Sequence, residues 1–200
     1  QSTDPLGVTC WVLSGLAGAT RTGTLDLSRQ IQYLGDGMYR VNWLRPDGKG
    51  QMYQDVRFDG GTVLADPVTD ERGGAWAESW VLLYQRAILQ QAGRSINNPG
   101  SGGTSHEPPL YLNRDAQAVA STNRDAIVAG LNAGKAVMAF IPAENAAAAA
   151  LGLPDWHWYA VLRVYQGARS DFVELYNPHG RVVTVTWSDF TMAFSGVSIV

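Results

Sequence analysis

The sequence predicts a folded domain of the α+β class, with helices mainly in the first half and strands mainly in the second. Of the 200 residues, 46% are apolar and seven are tryptophan, which is typical of a chain that buries a core. Apolar residues recur at helical spacing in the first half, whereas short apolar runs between turns fill the second. We expect one domain over 1–200, with a helical lobe over about 1–100 and a β-rich lobe over about 110–200, joined by a Gly/Pro/Ser-rich loop at 93–109.

The first predicted helix begins at Cys10, which is the only cysteine in the chain. The apolar residues that follow leave no polar face, so we expect this helix to be buried nearly all round. Thr9 is the predicted N-cap. Unpaired N–H groups and the macrodipole favour an anion at a helix N-terminus, so the Cys10 thiol is expected to lose its proton more easily than a free thiol. Gly15 and Gly18 indicate a close approach by another element.

The rest of the first half is predicted to alternate between helices and a hairpin. A second short helix is expected over 25–34, where the sequence signals are mixed. Strands at 38–44 and 51–58 flank a Pro/Gly turn and form the hairpin. A long helix over 75–91 follows from apolar residues at helical spacing, and Gly93 ends it.

The second half opens with a predicted helix that Ser121 caps and Gly134 ends. The apolar run at 136–141 is short enough to be a buried strand, and the alanine-rich stretch at 144–151 predicts one or two helical turns.

Three strands separated by tight turns then predict an antiparallel meander, at 157–165, 172–176 and 181–187. A short helix is expected from Ser188, and 196–200 is expected to form an edge or return strand.

Three residues in this frame suggest nucleophilic catalysis: Cys10 at a helix start, His157 in a strand and Asn177 at the end of the next strand. A cysteine nucleophile needs a base within hydrogen-bond reach, and a third group must fix the ring of that base. Histidine titrates near neutral pH, and the side-chain oxygen of asparagine can accept from its far nitrogen. Neighbouring antiparallel strands can bring His157 and Asn177 side by side.

The sequences around these residues resemble the calpain-type cysteine proteases. The stretch from Cys10-Trp11 resembles that family's Gly-Asp-Cys-Trp motif, His157-Trp158-Tyr159 its His-Ala-Tyr-Ser-Val, and Asn177-Pro178-His179-Gly180 its Asn-Pro-Trp-Gly. The resemblance implies a papain-like fold, with Cys10 in a helical lobe and His157 and Asn177 in an antiparallel β lobe. It also implies a thiol protease that acts on a protein or peptide substrate through a thioester.

Two departures from the family pattern concern the surroundings of the triad. The family usually carries a glutamine six residues before the cysteine, whose amide donates to the oxyanion, but this chain has Asp4, which cannot donate when ionised. Candidates for the oxyanion surroundings are therefore Asp4, Gln1 and Trp11. His179 replaces the tryptophan that shields the His–Asn contact in the family, which leaves Trp158, His179 and Trp187 as shielding candidates.

Charge and composition restrict the partners. A net charge of −3 gives no reason to expect nucleic acid, and no apolar run is long enough to span a membrane. No metal or cofactor is predicted. Calcium enters only by analogy with the family, since Asp47 and Asp59 are interpreted as solvated turn residues. The sequence indicates no oligomeric state. It shows no signal peptide, and a bacterial cytoplasmic protein or an exported effector would both fit.

Two alternatives to a protease remain open at the level of sequence. The same thiol chemistry serves a deamidase or acyltransferase, for example an effector or toxin on the same fold. The second alternative is a papain-like domain that has lost catalysis and only binds a partner, which Asp4 would suit.

Overall fold

The computed structural model describes residues 10–21, 30–44, 51–58, 79–91, 93, 117–178 and 181–200. Five helices lie within these ranges: α1 (Cys10–Arg21), α2 (Ser79–Gln91), α3 (Arg124–Asn132), α4 (Ala146–Ala150) and α5 (Trp187–Ala193). The same ranges contain nine strands: β1 (Ile31–Gly35), β2 (Met38–Leu44), β3 (Gln51–Arg57), β4 (Gln117–Val119), β5 (Val137–Ile141), β6 (His157–Gln166), β7 (Asp171–Asn177), β8 (Arg181–Thr186) and β9 (Gly196–Ile199). Two antiparallel sheets and the helices confirm the predicted α+β class.

Helix α1 begins at Cys10, as the sequence predicts, and is buried over most of its surface. Its polar side chains bond to the preceding turn, since Ser14 Oγ donates to the carbonyl of Trp11 and Thr20 Oγ1 to that of Leu16. The helix can therefore lie in an apolar environment without leaving these hydroxyls unsatisfied. The predicted cap, Thr9, lies outside the described residues.

The first half of the chain carries a three-stranded sheet, β1–β2–β3, in addition to its helices. The hairpin of β2 and β3 confirms the predicted strands. The short helix expected over 25–34 is wrong in its second part, because residues from Ile31 form β1 instead. A tight turn with positive φ at Gly35, Asp36 and Gly37 folds β1 onto β2, and this pairing overrides the mixed local preference.

Helix α2 confirms the expected helix as far as the described residues reach, and Gly93 follows it with a φ of +69°. Helix α3 is capped by Asn123 rather than by the predicted Ser121. Asn123 Oδ1 accepts a hydrogen bond from the N–H of Ala126, while Ser121 lies within the turn that precedes the helix. Both residue types cap well, so composition alone does not separate them.

The second sheet has six strands in the order β4–β9–β5–β6–β7–β8, and all its pairs are antiparallel. The meander of β6, β7 and β8 confirms the prediction. Strand β9 is a return strand but not an edge strand, because it lies between β4 and β5. Its buried side chains account for this position, since Val197, Ser198 and Ile199 are all buried.

Two apolar clusters organise these layers. The first core joins α1, α2 and the three-stranded sheet to one face of the larger sheet, and it includes Trp11, Leu16, Trp43, Tyr84, Ala136, Met138 and Val200. The second core lies on the other face, beneath α3, α4 and α5, and includes Ile127, Ile141, Tyr159, Leu175, Phe190, Phe194 and Ile199. The larger sheet therefore separates the two cores, and α1 lies against it.

Candidate active site

Cys10 is the first residue of α1 and only 3% exposed. The helix lies close against β5 and β6. Gly18 makes this approach possible, since a Cβ at that position would lie 3.2 Å from Met138 Sδ and 3.4 Å from Ala136 Cβ. The close approach expected at Gly18 is thus confirmed, and it fixes the N-terminus of α1 beside the large sheet.

His157 and Asn177 lie at the same end of neighbouring strands. His157 opens β6 and Asn177 closes β7, and the antiparallel pairing of these strands brings the two ends together. His157 Nε2 lies 3.0 Å from Asn177 Oδ1, and both residues are only 2% exposed. An asparagine oxygen only accepts, so Nε2 is the donor and Nδ1 is the acceptor nitrogen of the neutral ring. The juxtaposition that the sequence suggested is therefore present in the structure.

The Cys10 sulfur lies near the strand that carries the histidine. Backbone N–H groups of Trp158, Trp11 and Cys10 itself form hydrogen bonds that favour the thiolate. Trp158 directly follows His157 in β6, so the start of this strand and the start of α1 meet at the sulfur. The helix terminus thus supplies amide donors around Cys10, as its position implies.

The expected lowering of the Cys10 pKa is wrong in direction. Burial raises the pKa of this thiol to about 11, and the three backbone N–H groups offset only part of that effect. The free energy lost when water is removed from around a thiolate exceeds the stabilisation that the amides and the helix terminus provide. In the structure as it stands, Cys10 is therefore a neutral thiol near neutral pH.

The shielding candidates differ in their placement. Trp158 packs on Phe140, with ring centroids 4.8 Å apart, and contributes to the first core. Successive side chains of a strand point to opposite faces, so the Trp158 ring is on the face away from the His157 ring. Trp11 is buried in the first core.

Trp187 is not a shield for the His157–Asn177 contact. It follows Thr186, which pairs with Phe172 at the far end of β7, whereas Asn177 pairs with Arg181. This separation amounts to roughly 17 Å along the strand. Trp187 instead packs on Phe190, with ring centroids 5.4 Å apart. The other candidates, Gln1, Asp4 and His179, lie outside the described residues, as do Asp47 and Asp59.

Tyr159 is a neighbour of the site that sequence reasoning missed. Its ring meets the His157 ring edge to face, with centroids 5.0 Å apart and planes at 78°, and Phe194 packs on it at 5.6 Å. Its buried hydroxyl has no hydrogen-bond partner among the described residues, and burial raises the pKa of this group. The signal was available, because positions two apart in a strand share a face.

Trp156 is the second residue that was missed. It directly precedes His157, is 60% exposed and has a φ of +49°. A bulky residue in this left-handed region is a conformational outlier, and no pattern in the sequence predicts it.

Among the described residues, no group of three or more His, Cys, Asp or Glu side chains could hold a metal ion. None of the helices described is both long and apolar enough to cross a bilayer. No protein-family model matches the chain, and no curated protein matches its sequence.

Proposed function

We propose that this chain is a thiol-dependent peptide hydrolase with a papain-like fold, similar to the calpain-type cysteine proteases. One observation carries the proposal, the buried His157–Asn177 hydrogen bond of 3.0 Å. It lies at the end of β6 that is close to Cys10, which is the only cysteine in the sequence and the first residue of α1. Thiol catalysis needs a nucleophile, a base and a group that orients the base, and this observation supports such an arrangement. Cys10 is the proposed nucleophile, His157 the base, and Asn177 the residue that positions it.

The role of Asn177 follows from the direction of the hydrogen bond. Because Oδ1 accepts from Nε2–H, the neutral imidazole presents Nδ1 as a base. Burial of both side chains keeps water from competing for this bond. Asn177 thereby sets the tautomer that can take a proton from the thiol.

In the proposed reaction, Cys10 Sγ attacks the carbonyl carbon of a peptide bond while its proton passes to His157 Nδ1. The tetrahedral intermediate expels the amine, which leaves with that proton, and a thioester remains. Water then attacks the thioester and gives one proton to Nδ1. Collapse of the second intermediate releases the acid, and the proton returns to sulfur. The backbone N–H of Cys10 is the proposed donor to the oxyanion in both intermediates.

The proposed mechanism has to account for the raised pKa of the Cys10 thiol. An isolated thiolate is unfavourable in a buried place, but a thiolate beside an imidazolium is stabilised by the opposite charge. Proton transfer from Cys10 to His157 therefore has to accompany attack or precede it within an ion pair. Without His157 the opposite charge would be lost, and the three amide donors offset only part of the effect of burial.

The alkylation rate of Cys10 by iodoacetamide, measured from pH 4 to pH 10, tests this pairing. In the wild type we expect fast alkylation well below the ordinary thiol pKa of about 9. His157→Ala should abolish that reactivity, and Asn177→Ala should reduce it. Cys10→Ala is the control for reaction elsewhere. Equal profiles in the wild type and His157→Ala would contradict the proposal.

The raised pKa also favours a second candidate, a papain-like domain that binds a partner without catalysis. A buried cysteine with a pKa of about 11 behaves as a small apolar side chain at neutral pH. For this candidate, the alkylation rate of the folded protein should rise only toward pH 11, with or without His157. The same pH series therefore separates the two candidates.

A further inference from the structure

We propose that Trp156, backed by Phe140, forms an aromatic subsite that binds an aromatic side chain of the peptide substrate beside the scissile bond. This inference rests on the proposed hydrolase function and adds a substrate preference to it. It starts from the contrast between Trp156, which is 60% exposed, and the adjacent His157, which is 2% exposed. A large apolar side chain is thus presented to solvent directly beside the proposed base.

Three aromatic rings in contact connect the start of β6, which lies beside the sulfur, to this exposed indole. The N–H of Trp158 bonds to Cys10, and the Trp158 ring packs on Phe140 with centroids 4.8 Å apart. Phe140 in turn meets Trp156 edge to face, at 5.6 Å and 73°. A ligand ring on the exposed indole would pack two residues along the chain from the N–H that bonds to Cys10, which is the ground for placing the ligand's backbone beside the nucleophile.

The backbone holds the indole in its exposed position. Trp156 has a φ of +49°, and its N–H donates to the carbonyl of Pro142 at 3.4 Å. The preceding residue is also tied down, because Asp155 Oδ2 accepts from the N–H of Glu144 at 2.7 Å. An ordered aromatic surface loses little freedom when a ligand packs on it, which favours binding.

An aromatic occupant fits the chemistry of this surface best. The indole offers a flat apolar face, and ring pairs in offset or edge-to-face contact are favourable beyond the area that they bury. Tyr53 on β3 is a useful contrast, since it is 55% exposed but has the guanidinium of Arg40 over its ring, 3.9 Å from the centroid. Tyr53 therefore serves as the matched control, an exposed aromatic residue whose face is already covered.

The test compares the alkylation of Cys10 by iodoacetamide and by N-benzyl iodoacetamide, which carries a phenyl ring on the same reactive group. In the wild type the benzyl reagent should react faster. Trp156→Ala and Trp156→Gly should lower the ratio of the two rates about fivefold, and Trp156→Phe should restore most of it. The glycine variant also relieves the positive φ, so a loss in both variants cannot come from backbone strain. Tyr53→Ala should leave the ratio unchanged.

The ratio separates this inference from the function on which it rests. Activation of the thiol by His157 affects both reagents equally and cancels in the ratio. An unchanged ratio in Trp156→Ala would overturn the subsite even if both reagents react fast. Slow alkylation by both reagents at neutral pH would count against the hydrolase, whereas the ratio, measured again at pH 9, would still report on Trp156.

Discussion

At Cys10 two opposing effects act on one group, and the sequence reveals only one of them. A cysteine at the start of a helix predicts a lowered pKa, because the position of the helix terminus can be read from the pattern. Burial depends on what packs against that terminus, and here the start of β6 covers it. The tertiary contact decides the direction, and the pKa rises to about 11.

This shift makes a prediction about stability. The thiol pKa in the folded protein, about 11, exceeds the unfolded value of about 9, so Cys10 stabilises the fold fully below pH 9 and loses that contribution as the pH rises toward 11. In a His157→Ala background, which removes the counter-ion of the proposed pair, the free energy of unfolding relative to the same background with Cys10→Ala should therefore fall by about 2 kcal/mol between pH 9 and pH 11.

Urea unfolding of both proteins at several pH values measures this difference. Ionisation of tyrosines away from Cys10 cancels in the subtraction, and carrying Tyr159→Phe in both proteins removes a tyrosine whose pKa is raised by burial and by the Cys10 charge. A difference that stays flat across the window would mean that the folded thiol does not carry a raised pKa.

The pairing of His157 with Asn177 was predictable, because strand order and a short turn bring their ends together. Trp156 and Tyr159 were not identified in advance, although they flank the same histidine. Trp156 depends on a single backbone angle, and the importance of Tyr159 depends on a ring contact. Spacing does not encode the backbone angle of Trp156, whereas the two-residue spacing of His157 and Tyr159 already places them on one face of the strand.

Among the elements, predictions succeeded where the local pattern and the final pairing agree. Strands β5 to β8 are short apolar runs between turns, and they pair with their neighbours in sequence. Strand β1 was missed because hydrogen bonds to β2 stabilise it, and composition does not show these. For β9 the sequence predicts a strand but not its central position, since its insertion between β4 and β5 is a long-range pairing.

Asn145 links two short helices and provides a test at this scale. Its Oδ1 accepts from the N–H of Ala148 at the start of α4, and its Nδ2 donates to the carbonyl of Ala193 at the end of α5, both at 2.9 Å. Asn145→Ser keeps a capping oxygen but cannot reach Ala193, and should cost about 1 kcal/mol. Asn145→Ala loses both bonds and should cost about 2 kcal/mol.

Urea unfolding at constant pH gives both values. Equal stability of the serine and alanine variants would show that the cap contributes nothing. A serine variant as stable as the wild type would show the same for the link to α5.

For the molecule as a whole, the packing of α1 on the large sheet holds the two halves of the proposed site together. The first core contains residues from both halves of the chain, among them Trp11, Trp43 and Met138. Composition predicts that such a core exists, but not which face of which sheet it occupies. The sequence therefore predicts the class of fold, whereas the docking of α1 is seen only in the structure.

Gly18 tests this docking. Gly18→Leu should force α1 away from Met138 and lower the free energy of unfolding by about 1–3 kcal/mol. Gly18→Ala should change it by less than about 1 kcal/mol, because the flexible thioether can yield and alanine favours the helix. In Met138→Ala, Gly18→Leu should cost less than in the wild type. A double-mutant cycle by urea unfolding measures this coupling, and strict additivity would contradict the contact.

The central position of β9 also bears on how the protein is made. A ribosome delivers β4 and β5 first, and the strand that belongs between them comes last of the nine. Until β9 has emerged, the nascent chain presents two unpaired strand edges, which are templates for aggregation. The order of synthesis, more than the composition of any one strand, therefore decides when this chain most needs a chaperone.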